Sequence, residues 1–241
     1  MWSVWAETVD LYLCRGMAWV ARAGYAPQVF KTPATVPLAI LLGRVAEGLA
    51  ARGSTGGRRR RFRVYLGSSL CPPVRFDIPE GAVWRDLPWA AQRQATLALD
   101  MKPLDAAQLV CALSPSVTGL AAAMHVTVKD AIEAWTTAQK GRCISMEPMW
   151  SHLTHFHRSA LEQCDGLAIQ EPDGHGVFLG IREGQCAQAS TRDAGEGDLG
   201  EEGQGSRKMG RLTWQSPVGP LHGRHPLGVG AWGSCFIPER A

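Results

Sequence analysis

Several things are missing from this chain of 241 residues. It has no CxxC pair. Its seven cysteines, Cys14, Cys71, Cys111, Cys143, Cys164, Cys186 and Cys235, are never closer than 21 positions apart. That spacing removes the zinc-knuckle and thioredoxin-like readings. Scattered single thiols fit a reducing compartment and small buried side chains. No apolar run reaches the roughly 20 residues of a membrane span; the longest candidate, Val36 to Ala51, is broken by Arg44 and Glu47. The N-terminus lacks a positively charged lead, and Glu7 and Asp10 interrupt its apolar residues, so no signal peptide is expected. Charge of one sign is nearly balanced, with a net +3, which gives no argument for nucleic acid. No GxSxG elbow accompanies Ser68-Ser69, Ser114-Pro115-Ser116 or Ser234-Cys235, so no catalytic nucleophile is assigned.

What is present is a globular composition, 45% hydrophobic and 20% charged. Short apolar runs at 3–6, 9–14 and 17–21 predict a three-stranded meander. Leu38, Leu41, Leu42, Val45 and Leu49 predict a helix over 36–51, ended by Gly53. Phe62, Val64 and Leu66 alternate in a strand, and Val74, Phe76 and Ile78 predict its returning partner. A helix follows over 84–99, with Asp86-Leu87-Pro88 as cap and first turn. Strands at 108–113 and 120–126 precede a helix over 128–139 capped by Thr127, with Asp130 completing an approximate capping box. A strand at 142–146, a helix opened by Pro148 and running to 163, and a closing hairpin at 167–170 and 177–181 complete the pattern. Strands and helices are mixed with several hairpins, which predicts an α/β fold with mixed sheets. From residue 174 to residue 233 lie 15 of the 27 glycines, and 192–210 has almost no apolar residue. The reading is therefore one domain over 1–182 and a Gly-rich, irregular or disordered segment over 183–241.

Four stretches carry a resemblance: the opening meander, FRVYLGSSLCPPVRFDIPEG with the helix WRDLPWAAQRQATLAL, the strand–helix–strand LAAAMHVTVKDAIEAWTTAQKGRCISMEP, and the hairpin LAIQEPDGHGVFLG. Together they resemble the cytoplasmic actin-like domain of bacterial assembly-platform proteins, the type II secretion protein GspL and the type IV pilus protein PilM. The resemblance implies an actin-like (ribonuclease H-like) fold. It also implies a non-catalytic scaffold at the inner face of the bacterial cytoplasmic membrane, recruiting an inner-membrane assembly-platform protein and a secretion or pilus ATPase. Membrane contact would run through a partner, no nucleic acid, cofactor or metal is implied, and a homodimer is compatible. Nucleotide-binding relatives carry an Asp-x-Gly phosphate turn after the first strand. The corresponding segment here reads Trp5-Ala6-Glu7-Thr8, without glycine, and the second phosphate turn falls at Glu171-Pro172-Asp173-Gly174. An ATP-binding assembly protein is the first alternative.

Three features remain outside that resemblance. His152 and His155 stand at i, i+3 on a predicted helix and could share a metal, which gives a metal-dependent enzyme as a further alternative. Arg58, Arg59, Arg60, Arg61 and Arg63 are the densest charge in the chain, a candidate anion or partner contact. Nine tryptophans serve either core packing or an exposed patch that anchors a partner.

Overall fold

The computed structural model describes residues 7–51, 59–115, 117–157, 164–193, 209–215 and 236–238. Its first sheet is built around β1, Glu7–Cys14, which is buried from Val9 onward because both of its faces are covered. Gly16 (φ 73°) turns β1 back into β2, Met17–Arg22. A Cβ there would sit 2.7 Å from the Thr32 carbonyl oxygen, so both conformation and space require glycine. β3, Gln28–Lys31, adds antiparallel to β2. The chain then crosses over through α1, Leu38–Ala51, to β4, Arg60–Leu66, parallel to β1. Later, β8, Gly141–Pro148, pairs parallel to β4, giving the order β3-β2-β1-β4-β8. Leu41, Leu42, Val45 and Leu49 press α1 onto this sheet. At about 2 kcal/mol per buried aliphatic side chain, that stripe contributes on the order of 8 kcal/mol.

Between β4 and the next core helix lies an insert. It comprises β5, Pro73–Arg75, a 3-10 turn at Trp84–Asp86, α2, Leu87–Ala98, a second 3-10 turn, and the hairpin β6, Leu109–Leu113, with β7, Leu120–His125. The three strands form a separate sheet ordered β5-β7-β6, with α2 packed on it. α3, Val126–Ala138, and α4, Met149–Phe156, return the chain to the first sheet.

The second five-stranded sheet repeats much of the first sheet's plan. β9, Gly166–Gln170, pairs antiparallel with β10, Gly176–Arg182, and β10 with β11, Gln185–Arg192. β12, Met209–Trp214, runs parallel to β9, as β4 does to β1. The edge strand β13, Phe236–Pro238, is antiparallel, unlike β8. Each sheet thus has two hairpin-connected strands, a third antiparallel neighbour, and a parallel strand on the other side of the first. One core joins them: Leu11, Tyr12 and Leu13 of β1 belong to the same buried cluster as Leu167, Ile169, Val177 and Leu179.

Several expectations change. The strand at 3–6 lies outside the described residues, and the third strand of the meander is β3, where QVFK carries too short an alternation to stand out. Val74 does not return along β4, because β1 and β8 occupy both edges of that strand; it pairs with Ala121 of β7 instead. The α3 cap is His125, whose Nδ1 accepts from the Thr127 backbone N–H at 3.3 Å, rather than Thr127. Residues 158–163 of the helix expected to 163 lie outside the described residues; α4 ends at Phe156. Within 183–241, β11, β12 and β13 belong to a sheet, and the boundary expected after 182 falls in the β10–β11 turn. The few apolar residues there suffice because they meet a waiting aromatic face. Trp214 stacks 5.4 Å from Tyr12 and 5.1 Å from Trp19, and Phe236 lies 5.1 Å from Trp214.

Candidate functional site

The equivalent turns of the two sheets meet where the sheets face each other. The first is Cys14-Arg15-Gly16, between β1 and β2. The second, Glu171 to His175, joins β9 to β10. The loop leaving β4, Gly67-Ser68-Ser69, runs between them. Gly67 donates to the Leu13 carbonyl at 2.7 Å. A Cβ on Gly67 would lie 2.7 Å from the Cys14 Cβ and 3.1 Å from Glu171 Oε2, so only glycine lets the loop pass.

Ser68 donates twice to Glu171 Oε2, from its backbone N–H at 2.7 Å and its hydroxyl at 2.8 Å. The Ser69 hydroxyl accepts from the Arg15 backbone N–H at 2.9 Å and donates to Asp173 Oδ2 at 2.8 Å. The Asp173 carboxylate also accepts the His175 backbone N–H at 3.2 Å, and the His175 ring reaches Asp193 at 2.6 Å. A continuous polar chain therefore ties turn to loop to turn.

Its electrostatics follow from burial. Glu171 is 2% exposed, and burial together with the nearby Asp173 charge pushes its carboxyl up to about 8, against the pull of the Ser68 hydrogen bonds. Burial also acts to raise Asp173, but donation from His175 and Ser69 outweighs it and leaves that carboxyl below its ordinary value. Asp173 in turn raises His175. Burial pushes the Cys14 thiol well above the usual thiol range.

The first phosphate turn is thereby relocated. Glu7 and Thr8 open β1 rather than forming a turn, while Trp5 and Ala6 lie outside the described residues. The turn that follows β1 reads Cys-Arg-Gly, so a buried neutral thiol stands where an Asp-x-Gly turn has its acid. Two backbone N–H groups at this junction, those of Arg15 and Ser68, are already used, donating to Ser69 and Glu171.

The other sequence-derived candidates are dispersed. Arg58 lies outside the described residues, and Arg59 and Arg61 are exposed. Arg60 is buried against Glu7, with Nε 3.5 Å from Oε2, and Arg63 grips Asp10 in two bonds of 2.6 and 2.9 Å. The parallel register of β4 on β1 sets Arg60 beside Glu7 and Arg63 beside Asp10, so two of these arginines are held within the sheet. His152 is buried against Tyr65, its Nδ1 3.3 Å from Glu147, whereas His155 is exposed; the two do not converge on one metal position. Among the described residues no helix is long and apolar enough to cross a membrane.

A second feature had no single sequence signal. The outer edge of β8 pairs with no other strand among the described residues. Beside it opens a groove of about 320 Å³, floored by Val110, Ala122, Met124 and Met146, with Ile144 exposed at its edge and the Lys129–Glu133 ion pair among its lining residues. Ala112 and Ala122 keep this face of the insert shallow, which leaves the space open. The clue was the alternation in CISMEP together with small residues in CALS and LAAAM, legible only once the insert is known to face β8.

No family model and no curated protein matches the chain in sequence. Among solved structures, the chain is similar to the cytoplasmic domain of EpsL, an inner-membrane component of the type II secretion system of Vibrio cholerae. That similarity has 15% identity, 88% of this chain and 84% of that one covered, and a TM-score of 0.53. Weaker similarities are to a PilM–PilN type IV pilus biogenesis complex (12% identity, 77% and 61% covered, TM-score 0.49) and to a Bacteroides thetaiotaomicron protein with an actin-like ATPase fold and unknown function (9%, 78% and 70%, 0.47). The fold is thus the mixed α/β, actin-like one that the sequence resemblance implied, and it is shared with the EpsL cytoplasmic domain.

Proposed function

We propose that the chain is a non-catalytic scaffold of a bacterial assembly platform of the type II secretion or type IV pilus kind. It would sit at the inner face of the cytoplasmic membrane and recruit an inner-membrane partner and a secretion or pilus ATPase. The secretion half of this reading is supported by the shared fold with an inner-membrane secretion component. The pilus half rests on the sequence resemblance. The observation that carries the non-catalytic reading is the locked cleft between the two turns: Ser69 takes the Arg15 N–H of the first turn, Asp173 the His175 N–H of the second, and Glu171 the Ser68 N–H of the loop that runs between them. The recruiting surface is assigned to β8 and its groove. An extended partner segment adds as a strand to the open edge and places an apolar side chain between Ile144, Met146 and Met124.

Two measurements test this. Mg-ATP at millimolar concentration leaves the melting temperature unchanged. Saturation a hundredfold above Kd would stabilise by about 2.7 kcal/mol, so a rise of several degrees overturns the non-nucleotide reading. A photo-cross-linker at Ile144 is expected to capture an inner-membrane assembly-platform protein, identified by mass spectrometry. Capture from a position on β3 instead would remove β8 from the reading.

A further inference from the structure

The insert presents α2 outward. Ala91 and Ala95, fully buried, seat the helix on the insert's sheet, yet large apolar side chains stand on its solvent side beside Arg93 and Gln94. Trp84 is 82% exposed, Trp89 62%, Leu97 63% and Val83 45%. The two indoles alone leave roughly 300 Å² in water, and with the aliphatic side chains the ridge reaches on the order of 500 Å², near the upper end for the largest apolar patch of a monomer. A stable protein pair buries about 800 Å² per partner, so this ridge alone is small for a dimer.

Its charge is mixed but net positive, Arg85 and Arg93 against Asp86. Arg93 is the only charged residue of α2, its guanidinium 5.8 Å from the Trp89 ring centre. Arg85 stands next to Trp84. The neighbouring Asp86 carboxylate accepts from the Val83 backbone N–H at 3.3 Å. The next acids in sequence, Glu80 and Asp100, lie beyond the two ends of the ridge. Pairing two copies through this face would bring one net positive charge toward another, whereas an anionic surface neutralises that excess. Indoles prefer the headgroup level of a bilayer, and long basic side chains reach lipid phosphates from there.

We propose that the 3-10 turn at Trp84–Asp86 and α2 form a docking ridge for an anionic phospholipid surface, with Trp84, Trp89 and Leu97 inserted among headgroups and Arg85 and Arg93 on their phosphates. The ridge is separate from the β8 groove and from the locked cleft, so it stands whether or not a partner binds there.

The test is co-sedimentation of the full chain with vesicles of phosphatidylcholine containing phosphatidylglycerol, and with phosphatidylcholine alone. The chain pellets with the anionic vesicles and several-fold less with the neutral ones, and binding falls with salt over the range where surface charges are screened. Trp84→Ser with Trp89→Ser lowers the partition coefficient by at least about tenfold, with an unchanged circular-dichroism melting temperature because both side chains are exposed. Arg85→Gln with Arg93→Gln lowers it on anionic vesicles only. Absence of pelleting on anionic vesicles overturns the proposal, as does undiminished pelleting of the double Trp variant. Undiminished pelleting of the Arg variant overturns the headgroup assignment. A concentration-dependent dimer in sedimentation equilibrium, abolished by the Trp changes and without vesicle binding, assigns the ridge to a second copy and overturns it too.

Discussion

Replacing Glu171 by glutamine should make the protein more stable at high pH, although Glu171 is a hydrogen-bonded residue at the junction of the two sheets. The carboxyl is raised from its ordinary value of 4.5 to about 8. The native state therefore keeps a proton that the unfolded chain releases above pH 4.5. Stability from this group is fully present below that pH, falls as pH rises, and is lost once pH passes the folded value near 8. At about 1.4 kcal/mol per pH unit, the whole window is worth on the order of 5 kcal/mol. For a domain of this size each kcal/mol moves the melting temperature by about 2–4 °C, so the loss is roughly 10–20 °C. Glutamine keeps an acceptor oxygen for the two Ser68 bonds and has nothing to ionise. His175, also raised, contributes a decline in the same direction above its ordinary value, and Asp173, depressed, acts only in acid. The informative quantity is therefore the wild-type minus Glu171→Gln difference, followed by thermal unfolding from pH 5 to pH 9. The two proteins should lie close near pH 5, with the wild type well below the variant at pH 9. Parallel curves across that range would refute the reasoning, because they would mean that Glu171 is solvated and ionised in the folded protein.

Other consequences can be checked with the same assays. Gly67→Ala forces a Cβ to within 2.7 Å of the Cys14 Cβ and should cost about 1–3 kcal/mol in urea unfolding; a neutral result would mean that the loop can move aside. Trp214→Ala removes a ring that meets Tyr12, Trp19 and Phe236, and should cost about 3 kcal/mol or more, read as a lowered unfolding midpoint. Cys14 and Cys71 are buried, with Cys71 pushed up to about 12, so in the native state a disulfide reagent at pH 8 should modify them no faster than the protein unfolds. Ile144→Asp should leave the stability within about 1 kcal/mol of wild type, since the side chain is 43% exposed, while abolishing partner capture by a photo-cross-linker placed at Arg142 of the same edge strand instead.

Local pattern was a good guide wherever a segment's environment was decided by its neighbours in sequence. The stripe Leu41, Leu42, Val45 and Leu49 gave α1 nearly residue for residue, and the alternation of Phe62, Val64 and Leu66 gave β4. Alternation says that a strand exists and which face is buried, but not which strand lies beside it; that is why β5 was assigned to β4 rather than β7. The cleft was illegible for a related reason. Ser68 and Glu171 are 103 positions apart, and neither sits in a motif that announces the other. The turn after the first strand is Cys14-Arg15-Gly16 and not the segment at Glu7, because the apolar run that forms this strand continues to Cys14. The arginine run looked like one basic patch, whereas pairing with Glu7 and Asp10 on a neighbouring strand divides it. The low apolar content of residues 183–241 concealed three strands, since a strand docking on ready-made aromatics needs few of its own.

That late docking has a consequence for biosynthesis. The first sheet has all its strands once the ribosome has passed residue 148, but the aromatic surface of Tyr12 and Trp19 acquires Trp214 and Phe236 only some 70 to 90 codons later. During that interval the nascent chain carries a nearly complete lobe with a sticky face. A chain released before residue 214 would keep that face without its covering rings. Closure of the first sheet's aromatic face is thus left to strands made well after the sheet itself.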